Sequence, residues 1–295
     1  MEHASVPDGL GQRLRPSSYR RLPRFRPGIM ALYLLLTLGG LVTFLPFIWM
    51  LLSTFKPANE VAVYPPIWVT SHPTFENITY VWNHVNFKRY FLNSAFIAVV
   101  HTSLTLLTSS LVGFVLAKYE FWGRNALFMA ILGTMMVPWP VTLIPNYQLM
   151  VWFHFLNTYW ALIIPGLYSS FGIFLMRQFM HGLPGELLDA ARIDGASEPF
   201  IYWRIVLPLS KPALAALGLL TFIGSWDSFV WPLIVLNNED LYTLPLALGS
   251  FAGEFVTNSA AIMAGATISI LPLVVLYVTL QRYFVSGIAM TGLKG

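Results

Sequence analysis

Residues Leu183–Pro212 read LPGELLDAARIDGASEPFIYWRIVLPLSKP and stand between two apolar runs. Leu183-Pro184 suits a helix start, because proline at the first helical position gives up no bond that the helix needs. Glu186 and Asp189 fall near that start, where the helix dipole favours acids. Gly195 occupies the place of a left-handed residue that closes a helix. Ser197 is placed to cap a second helix with Glu198 and Pro199 in its first turn. Phe200, Trp203 and Leu207 then recur at roughly helical spacing. Pro208 and Pro212 punctuate the entry to the next apolar run. The pattern predicts two short helices around a tight bend, too polar for lipid and too apolar to hang free in water.

The flanking sequence says what holds this element. Of 295 residues, 56% are hydrophobic and 10% charged, against roughly 45–50% and about 25% in a soluble globular domain. Such a chain cannot cover a water-facing surface, which excludes a soluble enzyme, a disordered chain and a fibrous repeat. A helix needs about 20 apolar residues to cross the ~30 Å hydrocarbon core. Six runs qualify: 29–52, 91–117, 126–150, 159–176, 212–236 and 260–280. None alternates as the strands of a membrane β-barrel do, and helices satisfy their own backbone groups in lipid. The expected fold is an all-α polytopic membrane protein with six transmembrane helices. The first run is longer than the roughly 7–15-residue core of a signal peptide, so it reads as a retained helix.

Lys and Arg orient the bundle. Of 17 such residues, Lys56, Lys88 and Arg89 fall on the side opposite the N-terminus. The others share the N-terminal side: Arg13, Arg15, Arg20, Arg21, Arg24 and Arg26, then Lys118 and Arg124, then Arg177, Arg192, Arg204 and Lys211, and last Arg282 and Lys294. Both termini are therefore expected in the cytoplasm of a cell that carries the protein in its plasma or inner membrane. The net charge of +4 follows from this asymmetry and needs no nucleic acid. The expected organisation is a cytoplasmic Arg-rich tail over 1–28, a first helix over 29–52 and an outside loop over 53–90. A core follows over 88–282, with a cytoplasmic loop over 177–211, and a cytoplasmic C-terminal tail over 283–295.

What can the loop do? Ala190, Ala191, Gly195 and Ala196 form a small-residue patch ringed by acids and Arg192. Small residues let another backbone approach closely, so the loop reads either as a knob for a cleft on a cytoplasmic partner or as an amphipathic connector packed on its own bundle. The segment resembles the EAA loop of ATP-binding-cassette (ABC) importer permeases. Asp189-Ala190-Ala191, Gly195 after three residues, and Ile205-Val206-Leu207-Pro208 after nine more reproduce that motif's spacing, with Asp where the family usually has Glu. Seven such positions match by chance on the order of 10⁻⁸ per start, at average residue usage of roughly 5–10% each. Asn93-Ser94, Ile144-Pro145, Asn157 to Leu162, Trp231-Pro232-Leu233, Tyr242 to Pro245 and the closing Gly292 to Gly295 are similar to the carbohydrate branch, its maltose-type second permease in particular. The arginine-rich tail matches nothing in that branch.

The resemblance implies a type I ABC importer permease fold and the membrane-spanning subunit of an ATP-driven sugar importer. It implies a homologous second permease, two ATPase subunits that hold ATP and Mg, an extracytoplasmic solute-binding protein and a carbohydrate substrate. Glu186, Asp189, Ala190, Ala191, Asp194, Gly195, Ala196, Ile205, Leu207 and Pro208 would then couple the permease to the ATPases, giving alternating access. The resemblance also supplies the import direction.

The residues agree with this division of labour. No Walker-type phosphate loop, H-E-x-x-H or G-x-S-x-G motif is present, and cysteine is absent, so neither an enzyme nor a chain with its own metal or cofactor is expected. Asp227 is the one acid inside an apolar run. It lies about 14 Å from the end of a helix over 212–236, at 1.5 Å per residue, where an acid costs about 2.5–3.5 kcal/mol. Pro232 frees the carbonyl of Ser228 beside it. On a continuous helix Gly224, Asp227 and Trp231 share one face, which either lines the translocation path with Ser228 or packs against a neighbouring helix. His101 reads as a neutral histidine bonded to a neighbour, because one histidine and one acid do not make a proton path. Ala261 and Gly265 form a small-xxx-small pair that serves either a permease interface or internal packing. A self-sufficient secondary transporter is the alternative reading; it calls for ion sites and repeated halves, and neither is visible.

Overall fold

The computed structural model describes residues 27–84, 86–254 and 258–291, and every described element is helical. The Arg-rich tail up to Arg26 and the closing Gly292 to Gly295 lie outside these residues. Helix α1 (Pro27–Thr54) carries no charged residue in its 28. As far as Ile48 nearly every described side chain is exposed, including Leu34, Leu35, Val42 and Phe44. A helix apolar on all sides is stable only where lipid surrounds it.

The chain from Trp49 onward is a second compact unit. It opens with the short α2 (Ala58–Val61) and α3 (Glu76–His84), then α4 (Phe87–Lys118), a 32-residue helix. Next come α5 (Arg124–Met135), α6 (Trp139–Trp152), α7 (Tyr159–Ile163) with a 3₁₀ turn to Gly166, and α8 (Ser170–His181). The polar segment supplies α9 (Gly185–Ile193), α10 (Glu198–Ile201), a π-helical turn over Tyr202–Val206 and α11 (Leu207–Leu209). Helices α12 (Lys211–Trp226), α13 (Val230–Val235), α14 (Leu244–Glu254) and α15 (Ser259–Thr291) complete the described chain.

Three helices, within α1, α4 and α15, are long and apolar enough to cross a membrane unbroken. Three further candidate spans are bent pairs: α5 with α6 at 102°, α7 and its turn with α8 at 42°, and α10–α11 with α12 at 78°. The run 126–150 was expected as one crossing. It is instead two helices, because Pro138 holds an extended ψ of 135° ahead of α6 and disfavours helical geometry at Val137. The run 212–236 was expected as one helix, but α12 ends at Trp226 and α13 starts at Val230. Helix α8 continues past 176 to His181, and α15 passes 280 to Thr291; no proline interrupts either extension.

Helix α4 is the central post and packs on both α8 and α12. The α4–α8 crossing is close because its contact residues are small. A Cβ at Gly113 would lie 2.7 Å from Met176 Cβ, and one at Gly172 would lie 2.4 Å from Ser109 Oγ. Small residues at such crossings let backbones approach where lipid supplies no hydrophobic drive. Gly265 does the same on α15: a Cβ there would come within 2.6 Å of Leu248 Cδ2. Ala261 and Ala264 sit in the same core with Phe87, Tyr90 and Trp226. The small-xxx-small pair therefore serves internal packing.

Candidate functional site

Two features stand out, the segment α9–α11 and a cavity beside α4. Helix α9 ends in a Schellman turn. Gly195 has φ +82°, its N–H donates to the Arg192 carbonyl at 3.0 Å, and the Ala196 N–H donates to the Ala191 carbonyl at 2.9 Å. That pair of bonds needs a left-handed residue at the turn, which glycine adopts without steric cost. The spacing of Ala191, Gly195 and Ala196 is thus the local code of the bend. Ala191 and Ala196 are half-buried against the core beneath, while Leu188 is buried in it with Phe114, Met176, Met180, Ile201, Tyr202 and Val206.

A polar clamp holds the bend. Arg192 donates from Nη1 to Asp189 Oδ1 at 2.9 Å and from Nε to Glu198 Oε1 at 2.8 Å. The Tyr119 hydroxyl donates to the other Glu198 oxygen. Hydrogen bonding to Glu198 is the main reason the Arg192 guanidinium is held above its ordinary value. Burial, then the Glu198 carboxylate, raise the Tyr119 phenol. Below the bend, Lys118 Nζ donates to the Leu183 carbonyl at 2.6 Å, and the Tyr202 and Ser110 hydroxyls share a 2.7 Å bond.

The exposed surface of α9 and its turn consists of Glu186, Leu187, Asp189, Ala190, Ile193, Asp194 and Gly195. Ile193 is 86% exposed, an unusual place for a large aliphatic residue at the end of a rigid helix. Two expectations are corrected here. Ser197 stands at the N-cap of α10 but makes no side-chain cap bond. Phe200 and Trp203 are exposed, and the inward face belongs to Ile201, Tyr202 and Val206, because the π turn shifts the register ahead of Pro208. Ile205 and Leu207 are half-buried, while Pro208 is exposed.

The cavity measures about 780 Å³ and is lined from α4, α5, α6, α7 and its 3₁₀ turn, α8, α12 and α13. Two of the three bent pairs meet it at their breaks, through Thr134, Val137 and Trp139 at the first and Tyr168, Ser169 and Ser170 at the second, and the gap between α12 and α13 adds Gly224, Ser225 and Ser228. Broken helices are tolerated at membrane depth where they face a polar cavity. His101 reaches it across Gly166, where a Cβ would fall 1.5 Å from Nε2. Thr105 ties the two elements by donating to the carbonyls of His101 and Gly166 at 2.8 and 2.9 Å. Contrary to the expected helix bond, His101 Nδ1 is buried with no hydrogen-bond partner among the described residues.

Gly224, Ser228 and Trp231 line this cavity, and Trp231 Nε1 donates to the Ala161 carbonyl at 2.8 Å. Asp227 does not. It is exposed at the end of α12 and absent from the lining, so the shared face with Gly224 and Trp231 is lost where the helix stops. Sequence reasoning missed Tyr119 as a clamp residue and Thr134, Trp139 and Ser170 as wall residues. Each is brought in from a distant helix, and no spacing in the sequence records that.

A lipid-embedded helical bundle with an uncharged, hydroxyl-bearing cavity at breaks between its helices, and an exposed helix held on its own core, defines the class: a membrane transport subunit. Residues 109–290 match the binding-protein-dependent transport system inner membrane component family. The arabinooligosaccharides transport system permease protein AraQ of Halalkalibacterium halodurans is 37% identical over 272 residues, 88% of this chain and 96% of that protein. The lactose transport system permease protein LacG of Rhizobium radiobacter is 34% identical over 268 residues, 91% and 96% of the two chains. A crystal structure of a bacterial ABC transporter involved in import of the acidic polysaccharide alginate matches with a TM-score of 0.79 at 25% identity, over 88% of this chain and 97% of that one.

The chain therefore belongs to the family of inner-membrane components of binding-protein-dependent transport systems. It is the multi-pass permease subunit of an ABC importer. It is not an enzyme and carries no cofactor of its own; ATP is bound and hydrolysed by partner subunits.

Proposed function

We propose that this chain forms one half of a carbohydrate importer's membrane channel, opposite a homologous second permease, and takes its work stroke from two ATPase subunits through α9–α11. The observation that carries the reading is the Schellman-closed helix α9, exposed on one face and clamped by Arg192. Such a helix moves as a rigid lever, because its base is buried and its end cannot fray. Glu186, Asp189, Ala190, Asp194 and Gly195 present the docking face, with Ala191 and Ala196 behind it. Ile205, Leu207 and Pro208 carry the motion into α12. Residues 177–211 then lie in the cytoplasm with both termini, within a core over 88–282, as the distribution of Lys and Arg supports.

The cavity is this chain's share of the substrate path, with Gly224, Ser228 and Trp231 in its wall and Asp227 outside it. An extracytoplasmic binding protein delivers the sugar. The similarity to permeases named for arabinooligosaccharides and lactose supports an oligosaccharide as cargo. The test is uptake of labelled arabinotriose into proteoliposomes holding the complete transporter. Uptake is expected to need both ATP on the ATPase side and the binding protein. Uptake that persists on a proton gradient without ATP overturns the reading in favour of a secondary transporter.

A further inference from the structure

The cavity wall is uncharged, with polar side chains set among apolar residues such as Ile97, Val137 and Leu162. Among its 21 lining residues there is no Asp, Glu, Lys or Arg, and His101 is the one group with an imidazole. Hydroxyls come from Thr105, Thr134, Thr142, Tyr168, Ser225 and Ser228, and aromatic faces from Trp139, Tyr168 and Trp231. Hydroxyls both donate and accept, as sugar hydroxyls do. The bond from Trp231 to the Ala161 carbonyl fixes its indole plane, leaving an apolar face for the C–H side of a ring.

We propose, on the carbohydrate reading above, that this cavity is a half-site for an uncharged glycan and rejects acidic sugars. An anion here would meet no Lys or Arg among the lining residues, and an unpaired buried charge is costly. Helix N-termini are the usual substitute, and at two of those beside the cavity part of the donor set is used or missing. Ser169 Oγ accepts the Gly172 N–H at 3.0 Å and caps α8 from within. Helix α6 begins with Pro140 in its first turn, which has no N–H to offer. Cargo charge therefore varies among structural relatives, one of which imports an acidic polysaccharide, and this chain's wall is built for the neutral case.

The experiment uses the complete transporter in nanodiscs without its binding protein, so that the membrane site is read alone. Saturation-transfer NMR is recorded with arabinotriose and with a galacturonate trisaccharide of equal length. Arabinotriose is expected to show saturation that falls on adding unlabelled competitor, and the galacturonate at least tenfold less. Ser228→Arg is expected to raise the galacturonate signal and lower that of arabinotriose; Thr142→Arg, a lining residue on α6, provides the same readout if the first variant does not assemble. Equal saturation by both sugars, or none by either, overturns the proposal. ATP-driven uptake in the same preparation, measured with the binding protein restored, separates that failure from a failure of the carbohydrate reading.

Discussion

The Arg192 guanidinium donates from Nε to Glu198 Oε1 at 2.8 Å, joining the end of α9 to the start of α10 across the Gly195 turn. The side chains are 37% and 43% exposed, so the pair contributes little to global stability, about 0–1 kcal/mol by the usual behaviour of surface ion pairs. Its value is geometric. Arg192→Ala is expected to leave expression and membrane insertion unchanged while lowering ATP-coupled uptake several-fold, as checked by transport against protein quantity in proteoliposomes. Arg192→Lys keeps the charge but loses the planar fork, and should fall between the two.

Gly195 holds φ +82°. A side chain there costs about 1–2 kcal/mol in left-handed geometry and opens the Schellman bonds. Gly195→Leu is expected to weaken ATPase docking while insertion stays normal, with Gly195→Asn milder because asparagine tolerates that region. Co-purification of the ATPase subunits measures it. Undiminished recovery with the leucine variant counts against the lever.

Gly166 and His101 compete for one space. Gly166→Ala puts a methyl 1.5 Å from the imidazole nitrogen, so it should lower thermal stability in detergent by the amount typical of overpacking, about 1–3 kcal/mol. The double variant with His101→Ala should recover much of the loss. A double-mutant cycle with no coupling would contradict the arrangement.

The α4–α8 crossing offers an internal control. Gly113→Val drives a side chain into Met176 Cβ at 2.7 Å and against backbone behind it, and should cut the yield of folded protein. Gly133→Ala meets nothing within 4 Å and lies in α5. It should be neutral or slightly stabilising, since alanine loses less backbone entropy than glycine. Fluorescence-detected size exclusion after heating distinguishes them.

Asp227 and Trp231 separate the two readings of the α12–α13 region. Asp227→Asn is expected to leave uptake within about twofold, a ΔΔG of about 0.4 kcal/mol at RT ≈ 0.59, because the acid is exposed and outside the cavity wall. Trp231→Ala should reduce uptake at least tenfold without changing ATPase docking. The reverse pattern would return the substrate role to Asp227.

Much was legible before any coordinates. Composition and six apolar runs define a lipid-embedded helical chain, because burial in hydrocarbon leaves a one-dimensional signature: length, and absence of charge. The Schellman bend was equally local, since Ala191, Gly195 and Ala196 interact across a single turn. Where the signal was local but incomplete, the reading slipped. Prolines marked the third run, yet they do not say whether a helix kinks or breaks to 102°. Phe200 and Trp203 matched a helical period that a π turn then displaced.

The amino-acid order alone determined that this chain crosses a membrane and carries a bent polar segment between its fourth and fifth apolar runs. Only the tertiary structure decided what surrounds the cavity, that Tyr119 clamps Glu198 from another helix, that Gly166 makes room for His101, and that Asp227 stands outside. The reason is distance along the chain. Thr134 and Ser170 share a 2.6 Å hydrogen bond, yet neither neighbourhood in sequence contains any trace of the other. Such meetings are set by how helices pack, through the steric fit of small residues such as Gly113 and Gly172.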